Sequence, residues 1–87
     1  MTLEKTLLAV LAPICPASLP PATVILKINN SGACEARADL ANTTEALKRL
    51  VKNNWAAIDV DYDGTERWLA TPEGKGRWIM DGRTAIG

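Results

Sequence analysis

The sequence predicts an α+β domain: an N-terminal helix, then a ββαβββ antiparallel sheet with one central helix packed on one face. Three observations carry this expectation. Asp63-Gly64 stands between two alternating apolar/polar runs, and a tight hairpin turn needs residues that accept φ > 0. Thr43–Asn53 repeats its apolar positions at helical spacing behind a capping residue, Asn42. Between Thr23 and Leu40 the chain is first β-branched and then alternating, with the turn residues Asn29-Asn30-Ser31-Gly32 at its centre.

In chain order, Thr2–Ala12 is the first helix. Thr2 serves as N-cap, Leu3, Leu7, Leu8, Val10 and Leu11 give a wide apolar face, and Pro13 and Pro16 end it. Residues 13–21 are a Pro-rich connector. Thr23–Asn29 reads as a strand and Ala33–Leu40 as its partner, Cys34, Ala36, Ala38 and Leu40 facing one way. The central helix Thr43–Asn53 buries Ala46, Leu47, Leu50 and Val51, with Glu45 completing a capping box and spaced for a pair with Arg49. The meander follows: a strand to Tyr62, a second from Thr65 and a third over 77–80. A two-residue turn sets Tyr62 opposite Thr65, Val60 opposite Arg67 and Ile58 opposite Leu69. Residues 81–87 form a tail. No linker divides the chain, so residues 1–87 make a single domain: 1–21 helix and connector, 22–80 core, 81–87 tail.

Composition narrows the function classes. The chain has 87 residues and 47% hydrophobic content, which suits one small globular domain and not a disordered one. Ten acidic and ten basic residues cancel, so phosphate binding is not favoured overall, although a local basic patch remains open. Histidine is absent, which removes the commonest general base and metal ligand together. Cys15 and Cys34 form no Cys-x-x-Cys pair and read as two small buried thiols in a reducing compartment, with a single disulfide in a secreted domain as the alternative. The run Leu7–Leu11 faintly resembles the core of a signal peptide, but Glu4 and the following prolines oppose cleavage, so a cytoplasmic location is expected. No stretch approaches a membrane span.

The candidate site residues follow from surface chemistry. Trp68, Trp78 and Met80 fall on the sheet face away from the central helix, where two tryptophans expose much apolar area unless the first helix, a second copy or a partner covers them. Asp59 and Asp61 share a strand face. With Asp63-Gly64 they echo the start of an EF-hand loop, but the closing glutamate is replaced by Ala70, so they read as solvated charges able to mimic phosphates toward a basic partner. Lys48, Arg49 and Lys52 line the outer side of the central helix, and Lys75 and Arg77 cluster near the last turn with Arg83. Pro72-Glu73-Gly74-Lys75-Gly76 lacks the phosphate-loop pattern and reads as a hairpin turn. Ser18 and Ser31 have no base to activate them. No catalytic residue, metal ligand or cofactor is expected.

Two resemblances rest on these segments. Ala46-Leu-Lys-Arg-Leu-Val-Lys-Asn-Asn-Trp, a strand, and Trp68-Leu-Ala-Thr-Pro-Glu-Gly resemble the end of a winged-helix regulator over residues 43–76. That likeness implies Thr43, Thr44, Lys48 and Lys52 in a DNA major groove, with Arg67 or Lys75 as the wing contact. It also requires a short helix and turn upstream of residue 43, where the alternation places a strand. Over residues 23–80, the turn-linked strand pair, the helix and the Asp-Gly hairpin are similar to small ββαβββ phage proteins such as some anti-CRISPR inhibitors. That likeness implies a non-enzymatic protein that occludes a host nucleic-acid-handling complex in the bacterial cytoplasm; the small core and the outward tryptophans separately leave a homodimer open. Two successive helices across 23–40 would favour the winged-helix alternative.

Overall fold

The computed structural model describes residues 1–86. The expected tail residue Gly87 lies outside them. Four helices surround one antiparallel hairpin: α1 (Leu3–Leu11), a single 3₁₀ turn (Ala12–Ile14), α2 (Pro21–Ser31), α3 (Leu40–Lys52), β1 (Ala56–Val60), β2 (Glu66–Ala70) and α4 (Pro72–Met80). The fold is α+β, as expected, with the sheet reduced to two strands.

α1 matches the expectation closely. The Thr2 side chain accepts the Lys5 N–H and caps it, and residues 6–11 are all buried. The strand expected over Thr23–Asn29 is instead part of α2. Pro21 at its first position presets helical φ, and Val24 and Ile28, four residues apart, reach the core together. Gly32 ends the helix in the left-handed conformation at φ 67°. Tertiary burial of one helical stripe outweighs the weak strand preference of β-branched residues.

Ala33–Leu40 is not a strand either. It is irregular backbone that enters α3 three residues earlier than expected. Asp39, not Asn42, is the N-cap, and Asn42 completes the capping box by reaching back to the Asp39 N–H. Asn29 fixes this connector from α2. Its side chain donates to the Ala38 carbonyl at 2.9 Å and accepts the Ala38 N–H at 2.8 Å.

The hairpin forms with a shifted register. Ile58 pairs with Trp68 and Val60 with Glu66, because Asp61 bonds Thr65 and a three-residue loop, 62–64, carries Gly64 at φ 86°. The expectation of a two-residue turn was one residue off. Such a slip turns every β2 side chain to the other face. Trp68 therefore points into the core at 1% exposure, beside Leu7, Leu11 and Leu47, and not outward. The residue pairing on its far side is Leu19, through two backbone hydrogen bonds of 2.9 and 2.8 Å.

The third strand expected over 77–80 is α4. Thr71 caps it by accepting the Gly74 N–H at 3.0 Å, and Pro72 occupies the first position. The Pro72–Gly76 segment is its first turns and not a hairpin loop. Among the described residues, the one buried side-chain nitrogen or oxygen without a hydrogen-bond partner is the indole N–H of Trp68. Trp68→Phe removes that donor along with some volume, so its cost should stay within about 1.5 kcal/mol. Chemical denaturation checks this, and a cost above about 3 kcal/mol would mean the N–H is bonded.

Candidate functional site

α3 buries Thr43, Ala46, Leu47 and Leu50 against the core, which turns Ala41, Glu45, Lys48 and Lys52 to solvent. The helix periodicity alone dictates this outer face. Lys48 meets Glu45 at 3.7 Å, both side chains well exposed, a pairing that solvent makes weak. Among the described residues Lys52 has no ion pair. Arg49 belongs to a different flank, where its guanidinium bonds Glu4 of α1. Thr43 is fully buried, so it is not on the outer face, whereas Thr44 is half-exposed.

α4 holds the second basic group. Arg77 lies 5.2 Å from the centre of the Trp55 ring and bonds Asp81 at 3.3 Å. Lys75 is half-buried. Trp78 is half-buried and donates its indole N–H to the Thr84 carbonyl at 3.0 Å. Leu8 of α1 lines one cleft with Trp78, and Leu7 of α1 belongs to the same buried cluster as Trp68, so the first helix helps cover both indoles. The two tryptophans do not share an exposed sheet face. Met80 remains exposed.

The hairpin is acidic on its outer side. Asp59 and Asp61 lie on one face, together with Arg67. The Asp59 carboxylate accepts the following Val60 N–H at 2.9 Å. That N–H points to the free edge of β1, so the carboxylate shields the edge from further strand pairing. Arg67 is turned back on the connector. It donates to the Ser18 hydroxyl and carbonyl, each at 2.9 Å, and sits 4.0 Å from Asp61. Neither expected wing cation fits that role: Arg67 is engaged and Lys75 is on a helix.

At the tip, the Thr65 backbone N–H donates to Asp63 at 3.0 Å and holds its carboxyl below the ordinary value of 3.8. A carboxyl with a depressed folded pKa stabilises the loop above its ordinary pKa and loses that contribution as pH falls through the folded one. In a carboxyl-carbon NMR titration Asp63 should therefore titrate below 3.8. A midpoint at or above that value would mean the loop bond is absent in solution.

Several apolar side chains are exposed on α3 and β1: Leu40 is 61% and Val60 58% exposed, and Val51 and Ile58 are exposed as well. Leu40 lines a groove of about 570 Å³ together with Pro20, Pro21, Ala22, Ile25, Thr65 and Glu66. Ile58 and Val60, expected to pack on the central helix, are instead exposed. Cys15 and Cys34 are unbridged, and the Cys15 thiol donates to the Ala70 carbonyl at 3.3 Å.

Among the described residues no cluster of three acidic or cysteine side chains is arranged to hold a metal. No helix among them is long and apolar enough to cross a membrane. No protein-family model, curated protein or solved structure matches the chain.

Proposed function

We propose that the domain is a non-enzymatic DNA-binding module of winged-helix layout, acting in the bacterial cytoplasm without a cofactor. In this reading α2, the 32–39 connector and α3 are the helix-turn-helix, β1 and β2 are the wing, and Leu19 is the remnant of a third strand. The single observation that carries it is the outer face of α3, unpacked and bearing the exposed Lys48 and Lys52, as a recognition helix entering a major groove requires. The connector is longer than the usual three- to four-residue turn. The Asn29 clamp on Ala38 supports the reading by giving that longer connector one fixed path. The wing differs from a phosphate clamp. Asp59, Asp61, Asp63 and Glu66 against Arg67 make it acidic, so the backbone contacts fall to α3. A fluorescence-anisotropy titration with duplex DNA tests the reading. Binding that weakens steadily as salt rises is expected, and no binding at about 50 mM salt would overturn it.

A second reading is favoured by the same acidic hairpin and by the apolar groove beside Leu40. Here the protein is a phage-borne inhibitor that occludes a host nucleic-acid-handling complex. It no longer rests on a ββαβββ scaffold. A basic host partner recovered by affinity purification, and lost on Asp59→Lys with Asp61→Lys, would support it over DNA binding.

A further inference from the structure

We infer that the concavity between α1, α2 and the residues after α4 takes a small carboxylate with a linear apolar chain, its head group set by Lys27. This stands independently of the DNA reading above. The space measures about 310 Å³, at the lower end of the range for small-molecule sites. Its apolar wall comes from segments distant in sequence: Val10 of α1, Ile14 of the 3₁₀ turn, Leu19 of the connector, and Ala85 with Ile86 beyond α4. Two of those segments are held by backbone bonds. Leu19 exchanges two with Trp68, and the Ile86 N–H donates to the Ala9 carbonyl at 3.2 Å. A wall fixed in advance spares a ligand part of the ordering cost of binding.

Among the described residues Lys27 is the one ionisable side chain on this lining, and it has no ion pair. It lies three residues after the buried Val24 and one before the buried Ile28, so it flanks the core stripe of α2 and is half-buried. A lysine so placed lays its methylene stem along apolar surface and carries its ammonium at the edge. One cation beside an apolar concavity complements one anionic head on one apolar chain. The chain meets the wall, and the carboxylate accepts a charge-assisted hydrogen bond from the ammonium. A phosphate, with more charge and more acceptor oxygens, would meet a single donor side chain here.

The test adds octanoate to the nitrogen-15-labelled whole chain, with octanol as the uncharged chain of equal length. Amide shifts should concentrate at Val10, Ile14, Leu19 and Ile86, and octanoate should bind about tenfold more tightly than octanol, as one hydrogen bond to a charged group provides. Lys27→Met keeps the stem and removes the charge. It should melt like the parent, still bind octanol and lose the preference for octanoate, and Lys27→Arg should restore that preference. Equal affinity for octanoate and octanol in the parent overturns the carboxylate assignment, and so does a preference that survives Lys27→Met. Shifts centred on the groove beside Leu40, or no shifts at about 3 mM octanoate, overturn the site itself. None of these outcomes touches the DNA reading, which the anisotropy titration tests separately.

Discussion

Replacing Gly74 with alanine should destabilise the domain by about 3 kcal/mol or more, among the larger effects a single methyl group can have. Its Cβ would stand 1.9 Å from the Trp55 carbonyl oxygen and 2.7 Å from the carbonyl carbon. Neither atom can swing away. The Trp55 carbonyl accepts the Thr71 N–H at 3.1 Å, and the Thr71 hydroxyl donates to the neighbouring Asn54 carbonyl. Relief therefore requires lifting α4 from the α3–β1 junction, which also removes Arg77 from the Trp55 ring. In a domain of this size the melting temperature should fall by roughly 10 °C or more. Gly76 is the matched control on the same helix. A Cβ there meets nothing within 4 Å, so Gly76→Ala should stabilise by about 0.5–1 kcal/mol through helix propensity. Similar melts for the two variants would show that α4 does not dock as described.

The Lys48→Ala, Lys52→Ala double variant should lose most of its salt-dependent DNA affinity while melting like the parent. Each phosphate contact contributes a slope of about −0.9 in log affinity against log salt, so the slope should flatten by about 1.8. Referred to 1 M salt, that amounts to roughly 60-fold weaker binding at about 0.1 M. Both lysines are exposed on α3 and neither contributes to the core, so circular dichroism should not change. Arg49→Ala separates charge from position. Its guanidinium is directed to α1, so its loss should touch stability slightly and the salt slope little. An unchanged slope in the double variant would remove α3 as the contact surface.

The parts of the fold legible in the sequence were those in which one local signal had no rival. α1 was bounded by Thr2 and the prolines, and the core stripe of α3 was plain from its spacing. The hairpin was located by Asp63-Gly64, but the turn type was not, since Gly64 serves a three-residue loop as well as a two-residue one. That single residue reversed the placement of Trp68. α2 was hidden by its β-branched run Thr23-Val-Ile-Leu-Lys-Ile, and α4 by the glycines of Pro72-Glu73-Gly74-Lys75-Gly76, which look like a turn; yet each opens with a proline at the first helical position, Pro21 and Pro72, where proline is preferred. The alternation across Ala33–Leu40 rested largely on alanine, which packs well in either state. Of the candidate site residues, Lys48 and Lys52 were found from helical spacing alone. The engagement of Arg49, Arg67 and Arg77 was not, because their partners Glu4, Ser18 and the Trp55 ring come from distant segments.

The loop at Tyr62–Gly64 is closed by local bonds, from the Asp61 N–H to the Thr65 carbonyl, the Gly64 N–H to the Asp61 carbonyl and the Thr65 N–H to the Asp63 carboxylate, and Tyr62 is fully exposed. Doubling the length of such a loop costs only about 0.6 kcal/mol in closure entropy. Residues can therefore be gained, lost or reversed in sign there without disturbing anything beneath β2. The tip is where mutation can retune reach and charge at little thermodynamic penalty, while the junction under Gly74 tolerates almost no change.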